Sequence, residues 1–260
     1  MSSLALANPR SGETTMIRSP ALRAHGRCAC CAEVQTSPAG AHRRQFLATA
    51  AAALAGGAGL ALGGRAARAQ PSLTPDAALQ RLMAGNARFV AKRLDSFQED
   101  LDMLKQGTVE RQEPFAAVLS CADSRVPVEL VFDQSIGHVF VNRVAGNLVT
   151  PEIIASLEYG AAVLGTRAIV VLAHESCGAV KAAIAGKAVP GQISVLYRPL
   201  RAAVDQAGPD PEAVSKANAR IQANLLATAS PLLAEMIKKG DLKVAAAYYA
   251  LGSGQVTLLT

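Results

Sequence analysis

An α/β fold built on a mainly parallel sheet is what this sequence predicts, on three observations. Short continuous apolar runs recur at Phe115 to Leu119, Val139 to Val141, Ala168 to Ala173 and Val244 to Leu251, the form taken by strands buried on both faces. Stretches of helical period separate them, and that alternation implies crossover connections and parallel pairing. Gly252-Ser253-Gly254 then supplies a turn that returns the chain into Val256 to Leu259 as a short antiparallel partner. The expected core is about four parallel strands plus one antiparallel C-terminal strand, flanked by helices.

The helices follow in order. Thr74-Pro75-Asp76 reads as N-cap, N1 proline and first-turn acid of an amphipathic helix with Ala78, Leu82 and Phe89 in its apolar pattern, ending near Lys92. A charged, irregular stretch, Arg93 to Glu113, leads into the first strand, which ends at Ser120-Cys121. Thr150-Pro151-Glu152 starts a second helix, with Ile154, Leu157, Ala161 and Leu164 on one stripe and Gly165 as its stop. A further helix is expected over Ala179 to Ile184, and another over Pro211 to Lys239 with a break at Ser230-Pro231.

The first 69 residues stand apart. His42-Arg43-Arg44-Gln45-Phe46-Leu47 opens a segment that resembles a twin-arginine export signal, followed by Ala- and Gly-rich Ala48 to Gly64 and by Ala67-Arg68-Ala69, a small-x-small cleavage site. Residues 1–69 are therefore expected to be an export leader and 70–260 a single domain, periplasmic or otherwise outside the cytoplasm of a bacterium. The apolar run is short for a stable span, so no lasting membrane insertion is expected once the leader is gone. Eight of the 26 basic residues but two of the 20 acidic ones lie in the leader, which leaves 18 of each in the remainder. The net charge of +6 thus belongs to the leader. Without a basic stripe interleaved with aromatics, a nucleic-acid partner is not expected.

Cys28, Cys30 and Cys31 fall in the leader, so Cys121 and Cys177 are the cysteines that remain. Cys121 opens Cys121-Ala122-Asp123-Ser124-Arg125-Val126, and the chain later reads His174-Glu175-Ser176-Cys177. Two thiols and one imidazole suit a tetrahedral zinc site, and three protein ligands leave a fourth position open, as in catalytic sites. One disulfide is the alternative use of two cysteines in an exported chain, but it leaves His174 without a role. Cys121 and His174 both end strands, and open α/β sheets place their sites at carboxyl strand ends. Two thiolates cancel the zinc charge and acidify bound water less than an all-histidine site, so an acceptor is needed nearby. Asp123 can serve, with Arg125 as its bidentate clamp. Direct coordination by Asp123 would instead close the metal. His138, the other histidine beyond the leader, reads as a turn residue rather than a proton carrier.

The CADSRV run (Cys121 to Val126) followed by His-x-x-Cys (His174 to Cys177) is similar to the zinc-site signature of the β-class carbonic anhydrases, and Gly85-Asn86-Ala87-Arg88-Phe89, Arg143-Val144-Ala145-Gly146-Asn147 and Ala247-Tyr248-Tyr249 to Val256 resemble other stretches of that family. The resemblance implies one Zn²⁺ per subunit on Cys121, His174 and Cys177, and reversible hydration of CO₂ to bicarbonate and a proton by zinc-bound hydroxide, assisted by the Asp123–Arg125 dyad. It also implies a homodimer or higher even oligomer. Gln112 matches a substrate-binding glutamine, Phe140, Ala145 and Tyr159 fall near the apolar CO₂ pocket, and Gly178 follows the last ligand as it often does in the family. Members with an allosteric bicarbonate site resemble one another in having Trp three residues before the first cysteine and Gly just before it. Val118 and Ser120 stand there instead, so an open zinc is expected. Hydrolysis of COS or CS₂ on the same site, and non-catalytic binding of bicarbonate or zinc, are the alternative functions.

Overall fold

Thr74 starts the first helix as expected: its side-chain oxygen accepts the Ala77 N–H at 3.2 Å, and Pro75 occupies the first turn. The computed structural model describes residues 73–96 and 112–259, all within one unit, Arg65–Thr260. The leader expected over 1–69, and residues 97–111 of the charged stretch, lie outside them. Helix α1 (Pro75–Val90) precedes β1 (Ala116–Ser120), a short α2 (Val128–Val131), β2 (Val139–Arg143) and α3 (Pro151–Glu158). Then come β3 (Ala168–His174), α4 (Gly178–Ala185), α5 (Tyr197–Ala207), α6 (Pro211–Ala229), α7 (Pro231–Lys239), β4 (Lys243–Tyr249) and β5 (Val256–Leu259). The sheet order is β2-β1-β3-β4-β5, parallel throughout except for the β4–β5 pair. This is the architecture the apolar runs imply.

Every residue of β1 and β3 is buried, because helices cover both faces. Val118, Val170 and Leu172 pack with α1 and α2 on one side, while Ala117, Leu119, Ile169 and Val171 pack with α3, α6 and α7 on the other. The register pairs Ser120 of β1 with Leu172 of β3 and with Arg143 of β2, so the three strands end close together. Among the described residues, no helix is long and apolar enough to cross a membrane.

Some elements differ from the sequence pattern. The stripe through Leu164 suggests one helix, yet α3 ends at Glu158 and continues as a π turn, Tyr159–Val163. At that turn Gly160 meets the Phe140 ring, where a Cβ would stand 3.0 Å from it. Strand β4 stops at Tyr249 rather than Leu251, because Ala250 already pairs across the turn with Gln255 and Gly254. The α6–α7 break falls at Ser230, whose hydroxyl caps α7 through the Leu233 N–H.

The stretch Gly85 to Phe89 clasps α1 to the sheet. A Cβ on Gly85 would lie 1.8 Å from the Phe132 carbonyl oxygen, so only glycine lets the backbones approach this closely. Asn86, buried, donates to the Val131 and Gly254 carbonyls and accepts the Val256 N–H. Arg88 pairs with buried Asp133, whose carboxylate also accepts the Asp95 and Ser96 N–H groups.

Burial alone would raise the Asp133 carboxyl, but the Ser96, Arg88 and Asp95 donors outweigh it and hold it below the ordinary carboxylate value. A depressed folded-state value means that Asp133 contributes its full stability above the unfolded carboxyl pKa of about 3.9 and loses it as pH falls toward the folded value. Asp133→Asn is expected to cost about 2 kcal/mol in urea unfolding at pH 7, a figure kept modest because the pair meets solvent on the Arg88 side. The gap from the parent chain should narrow as the pH is taken below 4.

Candidate metal centre

Strand β1 delivers Cys121 at its carboxyl end, β3 delivers His174 as its last residue, and Cys177 caps the amino end of α4. Their ligand atoms lie within 4.8 Å of one another and all three residues are buried. The sulfurs are 4.0 Å apart, about twice the length of a disulfide bond, and both cysteines are free. The disulfide alternative therefore does not hold here. His174 Nδ1 sits 2.9 Å from the Glu175 carbonyl oxygen, which makes it the protonated nitrogen and turns Nε2 inward as the ligand atom. That Nε2 is buried without a hydrogen-bond partner. Two soft sulfurs and an orphaned imidazole nitrogen fit Zn²⁺.

Local structure tunes the sulfurs. The Gly146 N–H donates to Cys121 Sγ at 3.3 Å, while the Cys177 thiol at 4.0 Å, the larger influence, pulls the Cys121 value far down. Cys177 is pushed up in turn, first by acting as that donor and then by burial. The two sulfurs are thus pushed apart in acidity, Cys121 toward the thiolate and Cys177 toward the thiol.

Asp123 and Arg125 meet at the mouth of this cluster. Arg125 Nε and its backbone N–H donate to Asp123 Oδ1 at 2.9 and 3.0 Å, and its terminal nitrogen donates to Oδ2 at 2.7 Å. The same nitrogen reaches the Ser176 carbonyl at 3.3 Å, joining the two halves of the motif. Asp123 Oδ2 is 3.9 Å from His174 Nε2. The Arg125 hydrogen bonds, set against burial, hold the Asp123 carboxyl well below the usual range and raise the guanidinium. Asp123 is an anion at any working pH. An open cleft of about 440 Å³ lies alongside, lined by Arg125, Glu175, Ser176, Tyr249, Leu251 and Gly252.

The softer expectations are not all gathered within one chain. Ala145 precedes the Gly146 amide and Gly178 follows Cys177, so both adjoin the ligands. Phe140 pairs with Ala117, four residues before Cys121 and so roughly 13 Å down the strand, and Tyr159 packs on Phe140 with ring centres 6.3 Å apart. Gln112 is exposed beyond the far end of β1. His138 precedes β2 at that same far end, donating to the Ser135 carbonyl as a turn residue does. Sequence reasoning missed Arg143 as a site residue. Its guanidinium donates to the Cys121 and Asp123 carbonyls at 3.1 and 2.6 Å and braces the ligand loop. The available signal was an arginine at the end of a strand beside the first ligand.

The sequence profile of the family described as carbonic anhydrase matches residues 116–256, more than half the chain and all three proposed ligands. The chain belongs to the β-class carbonic anhydrase family. It is similar to carbonic anhydrase 2 of Mycobacterium tuberculosis, 44% identical over 115 residues, which are 44% of this chain and 55% of that protein. The chain thus spans about half the length of that relative. A carbonic anhydrase of Pseudomonas aeruginosa is 31% identical over 183 residues, covering 63% of this chain and 83% of the relative. Among solved structures, the Coccomyxa β-carbonic anhydrase in complex with acetazolamide superposes with a TM-score of 0.55 at 26% identity, over 73% of this chain and 87% of that one.

Because the hydrogen bond to Cys121 and burial push the Cys177 thiol up, zinc uptake should release protons. Adding Zn²⁺ to stripped protein in weak buffer is expected to acidify the solution, as read with an indicator dye. His174→Ala should abolish both that release and the stoichiometric zinc retained after dialysis.

Proposed function

We propose that this chain is an exported, zinc-dependent enzyme that hydrates CO₂ reversibly to bicarbonate and a proton and works as a homodimer. The observation that carries the reading is the Asp123–Arg125 pair, closed by Arg125 on both carboxylate oxygens at the mouth of a three-donor metal set. A structural zinc site needs four closed ligands and no such acid. Zinc bound there would supply Lewis acidity that makes water nucleophilic near neutral pH.

The chain's own residues do the rest. Asp123, always ionised, accepts a hydrogen bond from an incoming water and fixes its orientation; its depressed pKa bars it from holding the proton, which must pass on to buffer. Arg125 satisfies both carboxylate oxygens, which supports a resting state with Asp123 turned away from the metal. Arg143 keeps the Cys121 and Asp123 carbonyls in place. Ala145, beside the Gly146 amide, is the residue to which the family resemblance gives an apolar wall for CO₂.

The homodimer is supported by strand β2, one of the two outer strands of the sheet, and by the π turn packed on its Phe140, where Tyr159 and Val163 are 48% and 65% exposed. A second copy covering that edge would remove both from water and give Phe140, Tyr159 and Gln112 a setting that one chain does not provide. Export is supported by the twin-arginine resemblance of residues 42–47.

Stopped-flow measurement on zinc-loaded protein should show CO₂ hydration above buffer, and Asp123→Ala should lower kcat by about 10²-fold or more with zinc content unchanged. Activity absent from loaded protein sinks the reading; activity undiminished in the variant sinks the role of the acid. Replacing Arg43 and Arg44 by Lys should hold the chain in the cytoplasm of a bacterial host, whereas the parent reaches the periplasm with Gln70 as its new N-terminus.

A further inference from the structure

Helix α6 carries two amides where its neighbours are apolar. Asn218 and Gln222, one turn apart, are 0% and 1% exposed among Val214, Ala219, Ala223 and Leu226. A buried amide is costly when its hydrogen bonds are unmade, so such a pair calls for partners. Every polar atom of both side chains has one. Gln222 Oε1 accepts the Val149 N–H at 2.8 Å, Gln222 Nε2 donates to Asn218 Oδ1 at 3.1 Å, and Asn218 Nδ2 donates to the Gly146 carbonyl at 2.9 Å. The backbone partners also fix which way each amide points. A backbone N–H at one end demands oxygen and a carbonyl at the other demands nitrogen, so flipping either amide breaks the chain of bonds.

Both backbone partners belong to the turn between β2 and α3, where Gly146 and Asn147 adopt φ of +81° and +46° in succession. Its own bond, from the Asn147 N–H to the Val144 carbonyl, closes only the first part. The amide pair holds the turn at Gly146 and again at Val149. Between those bonds and the metal cluster stands a single group, the Gly146 N–H that donates to Cys121 Sγ at 3.3 Å. At 3.3 Å this is a close bond for a sulfur acceptor, and its alignment depends on how the Gly146 peptide is turned.

We infer that Asn218 and Gln222 are positioning residues for the metal centre. By clamping both ends of the Gly146–Val149 turn they keep the Gly146 N–H on the Cys121 sulfur, and so set that sulfur's direction and its electron donation toward a bound cation. Neither side chain touches a ligand atom. They act through the turn, as outer partners of metal ligands do. The inference rests on the reading of Cys121, His174 and Cys177 as a metal centre, but not on the reaction performed there.

The test uses Co²⁺ in place of zinc, because thiolate-to-cobalt charge transfer reports the sulfurs directly. Asn218→Leu and Gln222→Met remove the clamp while keeping the volume apolar, and Ser215→Ala alters a buried, unpartnered hydroxyl on the same helix as a control. Both clamp variants should bind Co²⁺ and Zn²⁺ about 10- to 100-fold more weakly in chelator competition. Their charge-transfer band should move to longer wavelength, since a sulfur without its N–H donor gives up electrons more easily, while Ser215→Ala changes neither readout. Circular dichroism and melting of the metal-free variants separate loss of folding from loss of the clamp, and Gln222→Met, farther from the sulfur, carries the test if Asn218→Leu does not fold. Folded clamp variants with parental affinity and an unmoved band would overturn the inference. A parent chain that binds Co²⁺ with no thiolate band would overturn the metal-centre reading itself and this inference with it.

Discussion

Two buried thiols held 4.0 Å apart cannot both ionise without a cation between them, and the rest of the site is arranged around that constraint. Like charges at this distance repel by about 4 kcal/mol at an effective dielectric near 20, before any cost of burial. A dication removes the repulsion and brings the orphaned His174 nitrogen into use. Holding such a geometry in readiness needs rigid supports. Strands β1 and β3, buried along their full length and in fixed register, supply Cys121 and His174, and the amino end of α4 supplies Cys177.

The acid beside the cluster is held as firmly. Asp123 is gripped on both oxygens by Arg125, and Arg125 is itself tied to the loop carrying Cys177 through the Ser176 carbonyl. Ser176 adopts φ of +55°, an uncommon conformation for a residue with a side chain, and that turn presents its carbonyl between the two remaining ligands. Arg143 adds a second guanidinium beneath the first ligand loop. The arrangement uses two arginines for orientation, so that the Asp123 carboxylate is held in one place in advance.

Much of this was legible in the sequence, for physical reasons that differ by residue. Strands read clearly because β1 and β3 are buried on both faces and so carry continuous apolar runs. Thr74 and Thr150 announced helix starts and Ser230-Pro231 a break, each with a proline next, and each of the three caps a helix. Cys121, His174 and Cys177 were legible as one group because a metal site restricts both ligand type and spacing, and the fold brings the three together. Helix α5 was missed although it is amphipathic, because Leu196 stands at its N-cap and no capping side chain marks its start. The π turn after Glu158 was hidden because its cause is the Phe140 ring, across the fold from Gly160. Arg143, Asn218 and Gln222 were illegible as site residues for a related reason: they act on backbone groups, and a backbone carbonyl or N–H leaves no mark in a sequence.

The clasp of α1 bears on where this domain begins. The segment shared with the family's profile starts at residue 116, thirty residues beyond Asn86. Yet Asn86 supplies the partners of the Val131 and Gly254 carbonyls and of the Val256 N–H, and Phe89 covers Gly254. The start of the profile match and the start of the packed domain are therefore different places. A chain cut at the former would strand three backbone groups at the turn joining β4 to β5 and at the end of α2, and the same turn touches Glu175, beside the ligand His174.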